Sequence, residues 1–180
     1  MAVGSSRGAN YMRGFLWDVK GKETVMSNLN KQLEEIKAKS EKGLVLALTY
    51  ALNQTEKVPP LTPVDTGNLR SSRFVSSAST VHTGALRGIG SGKFKGVKAA
   101  QMLVNHTMVI EEAKMIVSSM NTPTRRVVMG GYTANYAGFI HEAIGFKFQR
   151  TGAGPKWFET SIKRNTGKMV QIVKDNVQIK

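Results

Sequence analysis

Apolar residues recur at helical spacing along residues 23–57, the longest periodic segment of the chain. Charged side chains collect on the opposite face, as on a solvated helix. Gly43 interrupts the segment, where it favours a bend, but the apolar stripe continues in register beyond it. The pattern predicts one long helix, or two nearly collinear ones, with its apolar side at Val25, Met26, Leu29, Leu33, Ile36, Leu44, Ala47, Leu48, Ala51 and Leu52.

A proline-rich stretch, residues 59–72, ends this helix because Pro59, Pro60 and Pro63 remove backbone donors and favour extended geometry before them. Asp65 and Thr66 can then supply cap oxygens to a short helical turn over residues 67–70. Leu69 is expected to point inward from this turn. On local signals alone, the stretch is a linker between two helices.

Strand and loop patterns dominate the rest of the chain. Alternating apolar residues predict a short strand at 15–20, and small and β-branched residues predict another at 73–81. Residues 83–96 are glycine-rich and basic, which is typical of a mobile loop. Residues 97–120 fit a helix, with a strand at 107–110 as the alternative.

The C-terminal part begins with a predicted strand at 124–129 that leads into a turn at Gly130 and Gly131. Residues 132–143 are small and aromatic and should pack tightly, and 144–152 form a strand or a loop. Pro155 suits the first position of a final helix, whose last residues, 171–180, are expected to fray. The buried side of that helix is predicted to hold Trp157, Phe158, Ile162, Met169 and Val170.

These elements predict an α+β fold in which a long N-terminal helix and a C-terminal helix pack on a small antiparallel sheet. A chain of 180 residues suits one domain, here 15–180, preceded by a flexible arm at 1–14. Within this domain, residues 84–120 would form a basic loop and a helical insertion. No apolar run is long enough to span a bilayer, so no membrane segment is expected.

The charge indicates the class of partner. Lysine and arginine number 26 against 12 acidic residues, a net charge of +14, which favours polyanions such as nucleic acid or an acidic protein surface. The densest basic loop contains Arg87, Lys93, Lys95 and Lys98 around Phe94, which offers cations for phosphate and a ring for stacking. The alternative is a solvated insertion on a generally basic surface.

Catalytic and cofactor motifs are incomplete. Gly92-Lys93 resembles the end of a phosphate-binding loop, but Arg87 and Phe94 replace residues that the motif requires. His141-Glu142 resembles the start of a zinc-protease helix, but Gly145 stands where the second histidine should be. The chain has no cysteine, which excludes disulfides and thiolate sites. We therefore expect no enzyme activity, no cofactor and no metal.

A glycine-flanked strand from Trp17 to Gly21 and the long helix from Leu29 onward lead into the first of four blocks of sequence. The blocks are Thr62-Pro63-Val64-Asp65-Thr66-Gly67-Asn68-Leu69-Arg70-Ser71-Ser72, Val127-Val128-Met129-Gly130, Tyr136-Ala137-Gly138-Phe139-Ile140-His141-Glu142 and Gly154-Pro155-Lys156-Trp157-Phe158. In this order the segments resemble one family, the small neck or tail-completion proteins of long-tailed bacteriophages of the lambdoid type. The match covers about two thirds of the chain and leaves 84–120 unmatched. Its structural residues here are Pro63, Asp65, Thr66, Gly67, Leu69, Tyr136, Glu142 and Pro155.

The resemblance implies a non-enzymatic virion protein, assembled in the host cytoplasm, that forms a sixfold ring at the neck. Such a ring completes the tail and joins the tail tube, or a tail terminator protein, to the head-proximal connector. Arg87, Lys93, Lys95 and Lys98 would then face a DNA-conducting lumen or an acidic neighbouring ring. The alternative function is non-specific nucleic-acid binding by a protein acting free in the cell.

Overall fold

The computed structural model describes residues 22–65, 67–83 and 95–178. The chain divides into two compact units, Met1–Leu33 and Glu34–Lys180. The predicted arm at 1–14, the strand at 15–20 and most of the basic loop lie outside the described residues. The elements are α1 (Lys22–Gln54), α2 (Asn68–Ser71), β1 (Arg73–Ser76), β2 (Val81–Thr83), α3 (Val97–Met120), β3 (Met129–Tyr132), α4 (Ala137–Glu142) and α5 (Trp157–Val177).

The predicted α+β fold is confirmed: the long α1 and the C-terminal α5 accompany a three-stranded antiparallel sheet in the order β2-β1-β3. Val75 of β1 lies opposite His82 of β2 and Gly130 of β3. One core cluster joins Val45 and Leu52 of α1 to Val75. The sheet is thus held against the second half of α1, where burial of apolar side chains is stabilising.

Gly43 marks a close contact between α1 and α5, and α1 continues through it without interruption. A Cβ atom there would lie 3.1 Å from Val173 Cα and 3.2 Å from Asn176 Cβ of α5. Because glycine has no side chain, the two helices approach closely at this point. The prediction of one long helix is confirmed, and in its first three turns the apolar side chains of Val25, Met26, Leu29 and Leu33 are exposed.

The predicted strand at 73–81 is wrong in its length, because the segment folds back into the β1–β2 hairpin. Ser77 closes the turn: its backbone N–H donates to Thr80 O at 2.8 Å, and its hydroxyl accepts the Thr80 N–H at 3.1 Å. Glu41 of α1 accepts hydrogen bonds from both the backbone and the hydroxyl of Ser79. A serine-rich run therefore forms a turn here, because serine hydroxyls compete with strand partners for hydrogen bonds to backbone groups.

The predicted strand at 124–129 with a Gly130-Gly131 turn is also wrong. β3 contains both glycines, and Thr122 and Arg125 instead form an isolated bridge just before it. A Cβ on Gly130 would lie 2.7 Å from Leu48 Cδ2 and 2.9 Å from Phe74 O. Gly130 is therefore needed because α1 and β1 press on β3, not because the chain reverses there.

Residues 97–120 form the predicted helix, α3, rather than the alternative strand at 107–110. Its buried positions are Ala99, Ile110, Ala113 and Val117, and it contacts β1 and β3. Residues 144–152 form a loop, which is tied to the proline-rich stretch by an isolated parallel bridge between Leu61 and Ala153. No helix in the described ranges is long and apolar enough to cross a membrane.

The start of α5 differs from the prediction. Pro155 precedes the helix instead of occupying its first position, and Lys156 is the N-cap, with φ 56° and ψ 25°. The Lys156 N–H donates to His141 O at 2.8 Å, which holds this non-glycine residue in the left-handed region. The predicted burial of Trp157 is confirmed, whereas Val170 is 47% exposed and the helix continues to Val177 rather than fraying from 171.

Candidate interaction surface

Three of the four sequence blocks meet in space. Leu69 of α2, Ala137 of α4 and Trp157 of α5 form a buried cluster, against which Tyr136 and Ile140 pack. Each of these three residues lies in a different block, and more than sixty residues of sequence separate Leu69 from Ala137. These three blocks therefore form one buried cluster, which their spacing along the chain did not predict.

The turn at the start of α2 is shaped by Gly67, which is the N-cap residue and has φ 83°, a left-handed conformation that favours glycine. The helical turn predicted there is present, and Leu69 points inward with 5% exposure, as predicted. Asn68 Nδ2 donates to the Tyr136 hydroxyl at 3.0 Å, which fixes α2 to the chain entering α4. Asp65 is exposed, and Thr66 lies outside the described residues.

Three hydroxyl groups join the end of α1 to β3. Thr62 Oγ1 donates to Thr55 Oγ1 at 2.9 Å, and the Tyr132 hydroxyl lies 3.0 Å from Thr55 Oγ1 and 3.1 Å from Thr62 Oγ1. Both threonines are fully buried, and burial raises the pKa of Tyr132. The Tyr132 ring also packs edge-on against Trp157 and Phe158, with centroids 5.8 and 6.0 Å apart. This hydroxyl joint leaves the proline-rich stretch little freedom.

Ion pairs reinforce the same region. One carboxylate oxygen of Glu56 lies 2.9 Å from Arg70 Nε and 2.8 Å from Arg150 Nη1, and the Glu56 side chain is only 10% exposed. Arg150 also donates to Thr62 O at 3.0 Å and to Glu56 O at 3.2 Å. The end of α1, the start of α2 and the loop before Ala153 are thereby tied together.

A second set of contacts connects α4 to α5. The His141 ring packs edge-on against Trp157 with centroids 4.8 Å apart, and Glu142 pairs with both His141 and Lys156. The hydrogen bond from Lys156 lowers the pKa of Glu142, and the same bond raises the pKa of Lys156. Glu142 therefore has a structural role as an exposed charge partner of the residue that caps α5.

These contacts shape an apolar groove between α2, α4 and the following loop, which we call the α2–α4 groove. Its volume is about 490 Å³. Four of the eight structural residues named for the family resemblance line it, together with a loop that sequence reasoning did not single out. The lining residues are Pro63, Val64, Asp65, Leu69, Tyr136, Ile140, Phe146, Lys147, Phe148 and Gln149.

Exposed aromatic residues extend the groove onto the surface. Phe139 is 68% exposed and packs edge-on against Phe146, 52% exposed, with centroids 5.9 Å apart. Ile144 between them in sequence is 81% exposed. A pair of exposed aromatic side chains beside an apolar groove favours a site of association. The alternation of Phe146 and Phe148 around Lys147 was the sequence signal that could have located it.

The polar side chains that line the groove include those of Asp65, Lys147 and Gln149. In the ranges that the structure covers, no group of three or more His, Cys, Asp or Glu residues could hold a metal ion. His106 Nδ1 forms a hydrogen bond with Thr133 Oγ1 at 2.6 Å, and burial lowers the pKa of His106.

The structure describes two of the four basic residues that were predicted to make contacts. Lys95 and Lys98 are exposed at the start of α3, whereas Arg87 and Lys93 lie outside the described residues. Whether the four form one patch therefore stays a prediction. Comparison of the chain with protein-family models, with curated protein sequences and with solved structures gives no match.

Proposed function

We propose that this chain is a structural protein of a tailed bacteriophage, which forms a ring at the neck and joins the tail tube to the head-proximal connector. The observation that carries the proposal is that separate blocks of the resemblance line one apolar groove, through Pro63, Leu69 and Tyr136. A family motif that maintained only a turn would not need to build a shared surface. In this proposal the groove is a contact with the neighbouring subunit.

The groove suits a head-to-tail contact. In a ring each subunit offers one surface to the subunit before it and a different surface to the one after it. Phe139 and Phe146 supply large exposed aromatic side chains, which contribute strongly to interface energetics, and Ile144 adds an exposed aliphatic one. Partners beyond the ring would be the tail tube or tail terminator protein on one side and connector proteins on the other, with the assembled ring located in the virion.

The framework below the groove is rigid, which favours an interface of constant shape. Glu56 holds Arg70 and Arg150 with contacts of 2.9 and 2.8 Å, and the hydroxyl joint fixes Thr62. Because little ordering is then needed on association, less of the interaction energy is lost. A subunit that is repeated around a ring benefits from this, since every contact must repeat the same geometry.

Electron microscopy and mass photometry of the purified full-length chain test the proposal. We expect rings, and we expect Phe146→Ser to abolish them, because Phe146 is exposed in the groove and its loss should leave folding intact. Leu46→Gln is the matched control, since Leu46 is 42% exposed on α1 and lies outside the groove. A chain that stays monomeric at high concentration, or rings unaffected by Phe146→Ser, would contradict the proposal.

The exposure of Lys95 and Lys98 favours a second candidate, non-specific nucleic-acid binding by the free protein. Exposed Lys163, Arg164, Lys168 and Lys174 on α5 add to the positive surface. Filter binding of DNA over a series of salt concentrations separates the two functions. A dedicated DNA-binding protein should hold DNA at physiological salt, whereas a ring subunit should bind weakly and lose DNA steeply as salt rises.

A further inference from the structure

α3 is apolar on two opposite sides. Its buried side consists of Ala99, Ile110, Ala113 and Val117. An α-helix advances by about 100° per residue, so a second set of positions lies about half a turn from that side. This set is exposed to solvent, and we call it the α3 stripe: Val97 at 85%, Val104 at 51%, Met108 at 64% and Met115 at 67%.

We propose that the α3 stripe binds the α3 stripe of a second copy of this chain, with the two helices antiparallel across a twofold axis. The spacing of the stripe is seven, four and seven residues, which is the same in both directions. Antiparallel pairing about the midpoint therefore sets Val97 against Met115 of the second copy and Val104 against Met108 of the second copy. A partner of unrelated sequence would not require this symmetry.

The charges beside the stripe complement each other in the same arrangement. Lys98 and Glu112 are exposed and flank the stripe on one side. When a twofold axis relates antiparallel helices, each flank meets the same flank of the other helix, so Lys98 lies near Glu112 of the second copy, twice per dimer. On the other flank, Glu111 is already paired with Lys114 of its own helix at 2.6 Å.

The size of the contact sets the expected affinity. Residues 97–115 cover 18 steps along the helix, which is about 27 Å at 1.5 Å per residue. One helix pair of this length lies at the small end of specific interfaces, so we expect a dimer of micromolar affinity. The contact is isologous and does not involve the α2–α4 groove, so it can form whether or not the chain also forms rings.

Cross-linking tests the pairing directly because the chain contains no cysteine. In the variant Val104→Cys/Met108→Cys, mild oxidation should convert most of the full-length protein into a covalent dimer. The control Thr107→Cys/Ser118→Cys places two exposed cysteines on the same helix but off the stripe, and it should cross-link at least about tenfold more slowly. Equal cross-linking in the two variants would overturn the proposal.

Charge exchange supplies an independent measurement by sedimentation equilibrium. Lys98→Glu and Glu112→Lys should each weaken dimerisation by about tenfold, since each replaces two attractive pairs by two repulsive ones. The double variant Lys98→Glu/Glu112→Lys should restore the affinity to within about threefold. A double variant as weak as the single ones, or a wild-type chain with no self-association that depends on these residues, would overturn it.

Discussion

Adjacent glycines in β3 provide a test in which two nearly identical changes should have opposite effects. A Cβ on Gly130 would lie 2.9 Å from Phe74 O and 2.7 Å from Leu48 Cδ2, whereas the nearest atom to a Cβ on Gly131 is Phe74 Cε1 at 3.8 Å. Leu48 can move its side chain, but Phe74 O belongs to the neighbouring strand. Gly130→Ala must therefore displace the backbone, and Gly131→Ala need not.

The magnitudes follow from these distances. Replacing glycine by alanine within a strand gains about 0.5–1 kcal/mol where the methyl group fits, whereas overpacking a core costs about 1–3 kcal/mol. The net expectation is a loss of about 1–2 kcal/mol for Gly130→Ala and a gain of about 0.5 kcal/mol for Gly131→Ala. In a chain of this size each kcal/mol moves Tm by about 2–4 °C.

Thermal unfolding of the two variants beside the wild-type protein, followed by circular dichroism, measures the difference. We expect Gly130→Ala to melt about 2–8 °C lower and Gly131→Ala to melt at or slightly above the wild-type temperature. If Gly130→Ala melted at the wild-type temperature or higher, β3 would not pass as close to α1 and β1 as described. The same outcome would favour the turn that the sequence predicts at Gly130 and Gly131.

Three further changes test the core, the ion pairs of Glu56 and the histidine of α3. Trp157→Ala should cost about 3–5 kcal/mol in urea unfolding, because Trp157 is 1% exposed, and a loss below about 1 kcal/mol would contradict its core position. Glu56→Gln should cost about 1–2 kcal/mol by removing a shared charge partner of Arg70 and Arg150, and an unchanged unfolding free energy would show that these pairs are solvent-screened. Burial lowers the pKa of His106 from 6.5, so the neutral form is favoured in the fold, and the free energy of unfolding should fall as pH drops below about 6.5. His106→Asn should flatten that part of the pH profile, and an unaltered slope would assign it to other groups.

The three long helices were the predictable part of this fold because their signal is local, whereas α4 lies in a segment for which only tight packing was predicted. The apolar period of residues 23–57 located α1 to within a few residues, and that of 97–120 located α3. The strands were less predictable because their ends depend on distant partners. Gly130 belongs to a strand because Leu48 and Phe74 lie against it, and no residue near Gly130 in the sequence carries that information.

The groove was predictable only in part for a similar reason. The resemblance singled out Pro63, Asp65, Leu69 and Tyr136, which line it, but not the loop that contains Phe146 and forms its other wall. That loop is held by Arg150, whose carboxylate partner lies 94 residues earlier in the chain. In α3 the apolar residues were recognised as helical, but their division into a buried and an exposed side depended on where the sheet lies.

The hydroxyl joint between Thr55, Thr62 and Tyr132 has a consequence for how the protein responds to its surroundings. Its hydrogen bonds involve no charged group, and burial raises the pKa of Tyr132 further from neutrality. Concentrated salt would therefore weaken the ion pair of Glu142 and Lys156 at the surface while leaving this joint intact. Thr62 of the proline-rich stretch should keep its contacts with Thr55 and Tyr132 across ionic conditions that change what the surface can bind.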